Sequence, residues 1–120
     1  MNATPGDCGP APGADIALGR RRVLLINPQI TARRHARFPL SIMTLAAALG
    51  RSHDSIIIDG NVDRAAVRAA CAAVRAQPFD AVGVTVMGGP QVATAIEMSQ
   101  ALRAAQPRLP IIWGGYFPTL

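Results

Sequence analysis

A chain of 120 residues, half of them hydrophobic, is sized for one domain that buries roughly 65% of its unfolded surface. No uninterrupted apolar run nears the ~20 residues of a membrane span, so no membrane partner is expected. The net charge of +5 rests on twelve basic residues, all arginine and scattered, with no interleaved aromatics, which excludes a basic stacking platform for nucleic acid.

Cys8 and Cys71 are the two cysteines; they make neither a disulfide framework nor a metal site, and a reducing cytoplasm is the expected setting. The opening MNATPGDCGPAPGADIALG lacks a charged start followed by an apolar stretch, so it is no signal peptide. Residues 1–20 are expected to be a disordered leader and residues 21–120 the domain. VLLIN, Val23 to Asn27, is a short continuous apolar run of the kind a parallel strand buried on both faces shows. Pro28 ends it, and the polar PQITARRHARF leads to PLSIMTLAAALG, which reads as a helix. Pro39 suits its first turn, Leu40, Met43 and the later Ala and Leu positions supply a buried face, and Gly50 suits its stop.

SIIIDG, Ser55 to Gly60, repeats the strand signature. NVDRAAVRAACAAVRAQ is helical, with Val67, Cys71 and Val74 on one face and Arg64, Arg68 and Arg75 largely off it. DAVGVTVM is the third strand. PQVATAIEMSQALRAAQ is a third helix, with Pro90 near its start and Val92, Ala95, Ile96, Ser99 and Leu102 at three-to-four spacing. Pro107 and Pro110 close it before the fourth strand, IIWGG, Ile111 to Gly115.

Strands alternating with helices imply right-handed crossovers and a mainly parallel sheet. The expected fold is therefore α/β and doubly wound, flavodoxin-like or Rossmann-like, in the order β-α-β-α-β-α-β. It reads as incomplete at its C-terminus, where a further helix and strand would be expected.

In such sheets ligands sit outside the carboxyl ends of the strands, where the strand order switches. The segments there, Asn27 to Phe38, Asp59 to Asn61, Met87 to Pro90 and Gly114 to Leu120, hold most of the loop glycines and few ionisable groups. Backbone amides and close approach suit a large ligand carrying amide and phosphate groups better than acid-base chemistry. Neither G-x-G-x-x-G after the first strand nor G-x-x-x-x-G-K-[ST] occurs, which disfavours a dinucleotide-dependent oxidoreductase. A receiver-type signalling domain would need acids where this chain has NPQ and MGGP; a non-catalytic flavodoxin-like interaction domain is the remaining alternative. Asp59 is expected to bind its own turn or cap the next helix, and Cys71 and Trp113 to be core residues.

In order along the chain, VLLINP, FPLSIMTLAAAL, IIDGN, VGVTVMGGPQ, ALRAAQPRLPIIWGG and GGYFPTL resemble the N-terminal cobalamin-binding domain of cobalamin-dependent radical S-adenosylmethionine enzymes, over about Val23 to Leu120. The sharpest piece is Thr85-Val86-Met87, then residues 88 to 113, then Gly114-Gly115. It is similar to the Ser/Thr-x-Leu and Gly-Gly pair of cobalamin domains, with Met where Leu is usual. The resemblance implies that the cofactor's nucleotide tail threads between the sheet and its helices, with the Thr85 hydroxyl bonding to it and the paired glycines letting it pass close. It implies cofactor contacts at Asn27, Pro28, Thr85, Val86, Met87, Gly88, Gly89, Pro90, Gly114, Gly115 and Tyr116, and no catalytic residue.

Cobalamin domains of the best-known kind also carry D-x-H-x-x-G, whose His binds cobalt. Here His35 has Arg33 two residues before it and Phe38 three after. Without a carboxylate to fix its tautomer, His35 is not expected as a cobalt ligand, and no metal site is expected. The radical-enzyme relatives commonly lack that motif; the loops around Pro28, Tyr116 and Phe117 would then cover the lower face of the cobalt, and Arg33, Arg34 and Arg37 would face solvent or hold a phosphate or propionamide. The family's [4Fe-4S] cluster and S-adenosylmethionine need C-x-x-x-C-x-x-C, which this chain lacks. The implied partner is thus a C-terminal radical module absent from this chain, which itself binds cofactor rather than catalysing, in a parent that transfers methyl groups or runs another radical reaction.

Overall fold

The computed structural model describes residues 19–120. Cys8 and all but the last two residues of the expected leader lie outside them. The elements are β1 (Arg22–Asn27), a 3-10 turn (Arg33–His35), α1 (Leu40–Leu49), β2 (Asp54–Asp59), α2 (Ala66–Ala76), β3 (Ala81–Thr85), α3 (Pro90–Ala105), β4 (Ile111–Gly114) and a one-turn α4 (Tyr116–Thr119). All four strands pair in parallel in the order β2-β1-β3-β4. This is the doubly wound, flavodoxin-like α/β fold, and its order reverses between β1 and β3.

Alternation along the strands sorts side chains onto two faces. Leu24, Ile26, Val82 and Val84, with Val86 just beyond, pack against Ala66, Ala70 and Val74 of α2 and Ala95, Met98 and Leu102 of α3. Leu25, Gly83 and Thr85 point the other way, toward α1. The helices fall on the faces that right-handed crossovers require. Among the described residues no helix is long and apolar enough to cross a membrane.

Several local expectations shift. Helix α1 buries Ile42 alone, while Leu40 and Met43 stay exposed; the helix lies over β1 and β2, so its outer stripe has nothing to pack on. Helix α2 starts at Ala66 rather than near Asn61, because Asp59 and Asp63 accept the backbone N–H groups of Asn61 and Ala65 and hold a turn there. On α3 the inward stripe is Gln91, Ala95, Met98 and Leu102, leaving Ile96 exposed and Val92 and Ser99 on its flank. Trp113 packs against the core and donates to Ser99 Oγ at 2.9 Å.

The amino ends of the strands are tied by exposed charge. Asp80 accepts the Arg22 backbone N–H at 2.8 Å and the Arg21 guanidinium at 3.0 Å, and Asp54 accepts Arg20 Nε at 2.8 Å. These donors, the Arg22 amide first for Asp80 and the Arg20 hydrogen bond first for Asp54, hold both carboxyls below their ordinary value. His53 accepts the Arg21 N–H at this same edge.

Ile26→Ala is expected to lower stability by about 2–5 kcal/mol, whereas Met43→Ala stays within about 0.5 kcal/mol; urea unfolding followed by circular dichroism measures both. A carboxyl whose folded pKa is depressed stabilises the fold above its unfolded value, about 3.9, and that contribution is lost as pH falls through the folded value. Urea midpoints should therefore drop as pH is lowered from 5 to 3, and Asp80→Asn should flatten the drop.

Candidate functional site

Two structures meet at the carboxyl ends of the strands: a polar tie that fixes the loops, and a slot beside it. The tie centres on Gln91, fully buried at the start of α3. Its Nε2 donates to Asn27 Oδ1 at 2.9 Å and to the Pro28 carbonyl at 2.7 Å, while its Oε1 accepts the Met87 N–H at 2.7 Å. Asn27 Nδ2 donates to Asp59 Oδ1, and Asn61 Oδ1 accepts the N–H groups of Ile30 and Thr31. Three loops are thereby locked around the point where the strand order reverses. Among the described residues no buried side-chain polar atom lacks a partner.

The slot is a cavity of about 350 Å3 between α1 and the sheet, within the range of small-molecule sites. Its helical wall is Ser41, Ile42 and Leu45, and its sheet wall is Leu25, Gly83, Thr85, Ile112, Gly114 and Gly115. Thr85 is nine-tenths buried, and its hydroxyl lies 3.3 Å from Ser41 Oγ. A Cβ at Gly114 would meet no atom within 4 Å; one at Gly83 would meet only Leu25 Cδ2, at 3.0 Å. Gly115, at φ +99°, is different: a side chain there would press on Val86 O at 3.0 Å and Thr85 Oγ1 at 3.1 Å.

The turn after β3 has its own constraint. Gly88 and Gly89 both take positive φ, +109° and +59°, which side chains resist. The turn lets Pro90 start α3 and brings Gly88 against the Phe117 ring. Met87, Tyr116 and Phe117 are large apolar side chains left exposed near this turn.

The expected contact residues thus divide. Thr85, Gly114 and Gly115 line the slot; Met87, Gly88, Gly89 and Pro90 form the turn after β3 and Tyr116 opens α4, outside the lining. Asn27 and Pro28 are buried in the polar tie. Val86 points into the core on the opposite face, its N–H bound to Gly114 O and its carbonyl accepting the Phe117 N–H; it braces the site from behind. His35 is exposed, its Nε2 accepting from Arg34 Nε at 3.1 Å. Among the described residues no three His, Cys, Asp or Glu side chains cluster as a metal site.

Sequence reasoning did not single out Ser41, Ile42, Leu45, Gly83 or Ile112. Gly83 alone carried a signal, since a glycine inside a strand marks a bulge or a close approach. A larger open cleft of about 490 Å3 runs between α2 and α3, past Arg64, Arg68, Cys71 and Glu97. It has neither the slot's empty glycine floor nor its buried hydroxyl, so the slot is the candidate site.

The family model described as the B12 binding domain matches residues 31–120. No curated protein and no solved structure matches the chain.

Gln91→Leu keeps the volume but strips the Met87 N–H and Asn27 of their partner, and is expected to cost about 1–3 kcal/mol. Urea unfolding gives the loss, and faster amide exchange at Met87 would locate it.

Proposed function

The chain belongs to the B12 binding domain family, a cobalamin-binding module, and we propose that it serves a cobalamin-dependent radical S-adenosylmethionine enzyme, with the cofactor's nucleotide tail lodged in the slot between α1 and the sheet. The observation that carries the tail's placement is Gly114, where an added side chain would meet no atom within 4 Å, in a slot that also holds the buried Thr85 hydroxyl. The lining fits the group: a cavity of about 350 Å3, the Ser41 and Thr85 hydroxyls, and apolar side chains around them.

When bound, cobalamin supplies methyl or electron transfer at cobalt; the protein supplies placement. The Thr85 hydroxyl can donate to or accept from a polar atom of the tail. Leu25 and Ile42, both buried, give the slot apolar lining, and the more exposed Leu45 and Ile112 extend it toward solvent. The rim of Met87, Tyr116 and Phe117 offers an apolar surface to the macrocycle. Gly88, Gly89 and Pro90 shape that rim, while Asn27, Pro28 and Val86 hold it from beneath.

The radical-enzyme context is supported by the order of the six segments and by the first loop. His35 pairs with Arg34, so no carboxylate partner prepares it as a cobalt ligand. In this reading the [4Fe-4S] cluster and S-adenosylmethionine belong to a module outside these 120 residues, and the working compartment is the cytoplasm.

The full chain mixed with hydroxocobalamin and passed through gel filtration should retain corrin absorbance. A folded but colourless protein overturns the reading. Thr85→Val should weaken retention roughly 3- to 10-fold, the equivalent of one hydrogen bond, with an unchanged urea midpoint.

A further inference from the structure

We propose that the cleft between α2 and α3 is a second ligand site, for a small zwitterion of the α-amino-acid class: Arg64 and Arg68 take its carboxylate, Glu97 its ammonium group, and Cys71 and Met98 floor the space for its side chain. This site lies on the sheet face away from the slot and is independent of cobalamin binding.

Both ends of the cleft are fixed. At their carboxyl ends the two helices are joined, Gln106 Nε2 donating to the Val74 carbonyl at 3.1 Å. At their amino ends the loop after β1 is tied to both sides: the Gly60 N–H donates to the Asn27 carbonyl at 2.7 Å, and Thr94 Oγ1 donates to the Gln29 carbonyl at 2.8 Å. So close an approach needs glycine at position 60, because a Cβ there would come 2.8 Å from the Gln29 nitrogen. Pro28 and Gln29 thus form the end wall of a cavity of about 490 Å3, within the range of small-molecule sites.

The charges bordering this cavity are mixed and stand apart. Arg64, in the turn before α2, and Arg68, on that helix, line it together with Asp63, and Glu97 of α3 lines it too. Asp63 is engaged in its own turn, where Oδ1 accepts the Ala65 N–H at 2.8 Å. Arg64, Arg68 and Glu97 have no such use: the ion pairs among the described residues are Arg20–Asp54 and Arg21–Asp80, at the amino ends of the strands. An anion alone would be opposed by Glu97, and a cation alone by the two arginines. A ligand carrying both a carboxylate and an ammonium group satisfies both.

The floor has different chemistry. Cys71 and Met98 are 9% and 2% exposed, and Cys71 is a free thiol. Soft, polarisable side chains of this kind adapt to an aliphatic group, so the ligand's side chain is apolar.

The test titrates the full, isotope-labelled chain with L-leucine, N-acetyl-L-leucine and L-leucinamide and follows backbone amide shifts by NMR. L-Leucine should give saturable shifts at Ala66 to Cys71 and Thr94 to Met98, with a Kd on the order of 1 mM. Blocking either charge should weaken binding at least about fivefold. Glu97→Gln should then make L-leucine and N-acetyl-L-leucine bind alike, and Arg64→Gln combined with Arg68→Gln should do the same for L-leucine and L-leucinamide. All three positions are exposed, so the urea midpoint should not move. Absence of saturable shifts at roughly 20 mM L-leucine, shifts confined to other residues, or equal binding of the free and blocked compounds by the unaltered chain overturns the proposal and leaves the cobalamin reading standing.

Discussion

A parallel sheet needs cover on both faces, because its strands are apolar on both. Here one face carries the sealed core and the other carries the candidate site. Helices α2 and α3 seal one face with a continuous core from Leu24 to Leu102. On the other, among the described residues, α1 is the one long helix, lying over β1 and β2. The space over β3 and β4 is left to Gly83, Gly114 and the Ser41–Thr85 pair. The slot lies between α1 and the sheet on this face, backed by the sealed core on the other.

The carboxyl edge has to be rigid for such an opening to keep its shape. Gln91 achieves this from a fully buried position, joining β1, the turn after β3 and α3 through three hydrogen bonds. Buried polar groups of this kind tolerate little displacement, since each broken bond strands a partner away from water. Asp59 and Asn61 extend the tie to the turn after β2. Asn27 and Pro28 therefore act through the loops they hold.

The near absence of ionisable groups around the slot fits a domain whose cofactor brings the reactivity. A protein that need only bind and orient such a group requires space, a hydroxyl, apolar walls and a firm rim. The charges of this chain gather elsewhere: Arg20, Arg21, Asp54 and Asp80 join strands at the opposite end of the sheet.

The sequence by itself determined the alternation of strands and helices and the parallel sheet, because those features live in short-range pattern; it tied Thr85 to Gly114-Gly115 only through the resemblance to cobalamin domains. It also placed the turn at Gly88 and Gly89, where backbone geometry demands glycine. It misjudged α1, whose residues are apolar on nearly every side, so no periodicity says which stripe faces the sheet; Ile42, Ser41 and Leu45 were assigned only by packing. Gln91 was hidden for a related reason, since a glutamine near a helix start ordinarily faces solvent. Tertiary structure alone decided that Gly83 and Gly114 open into one cavity with Ser41 across from Thr85. Residues more than forty positions apart become the two walls of a slot only when strand register and a right-handed crossover bring them together.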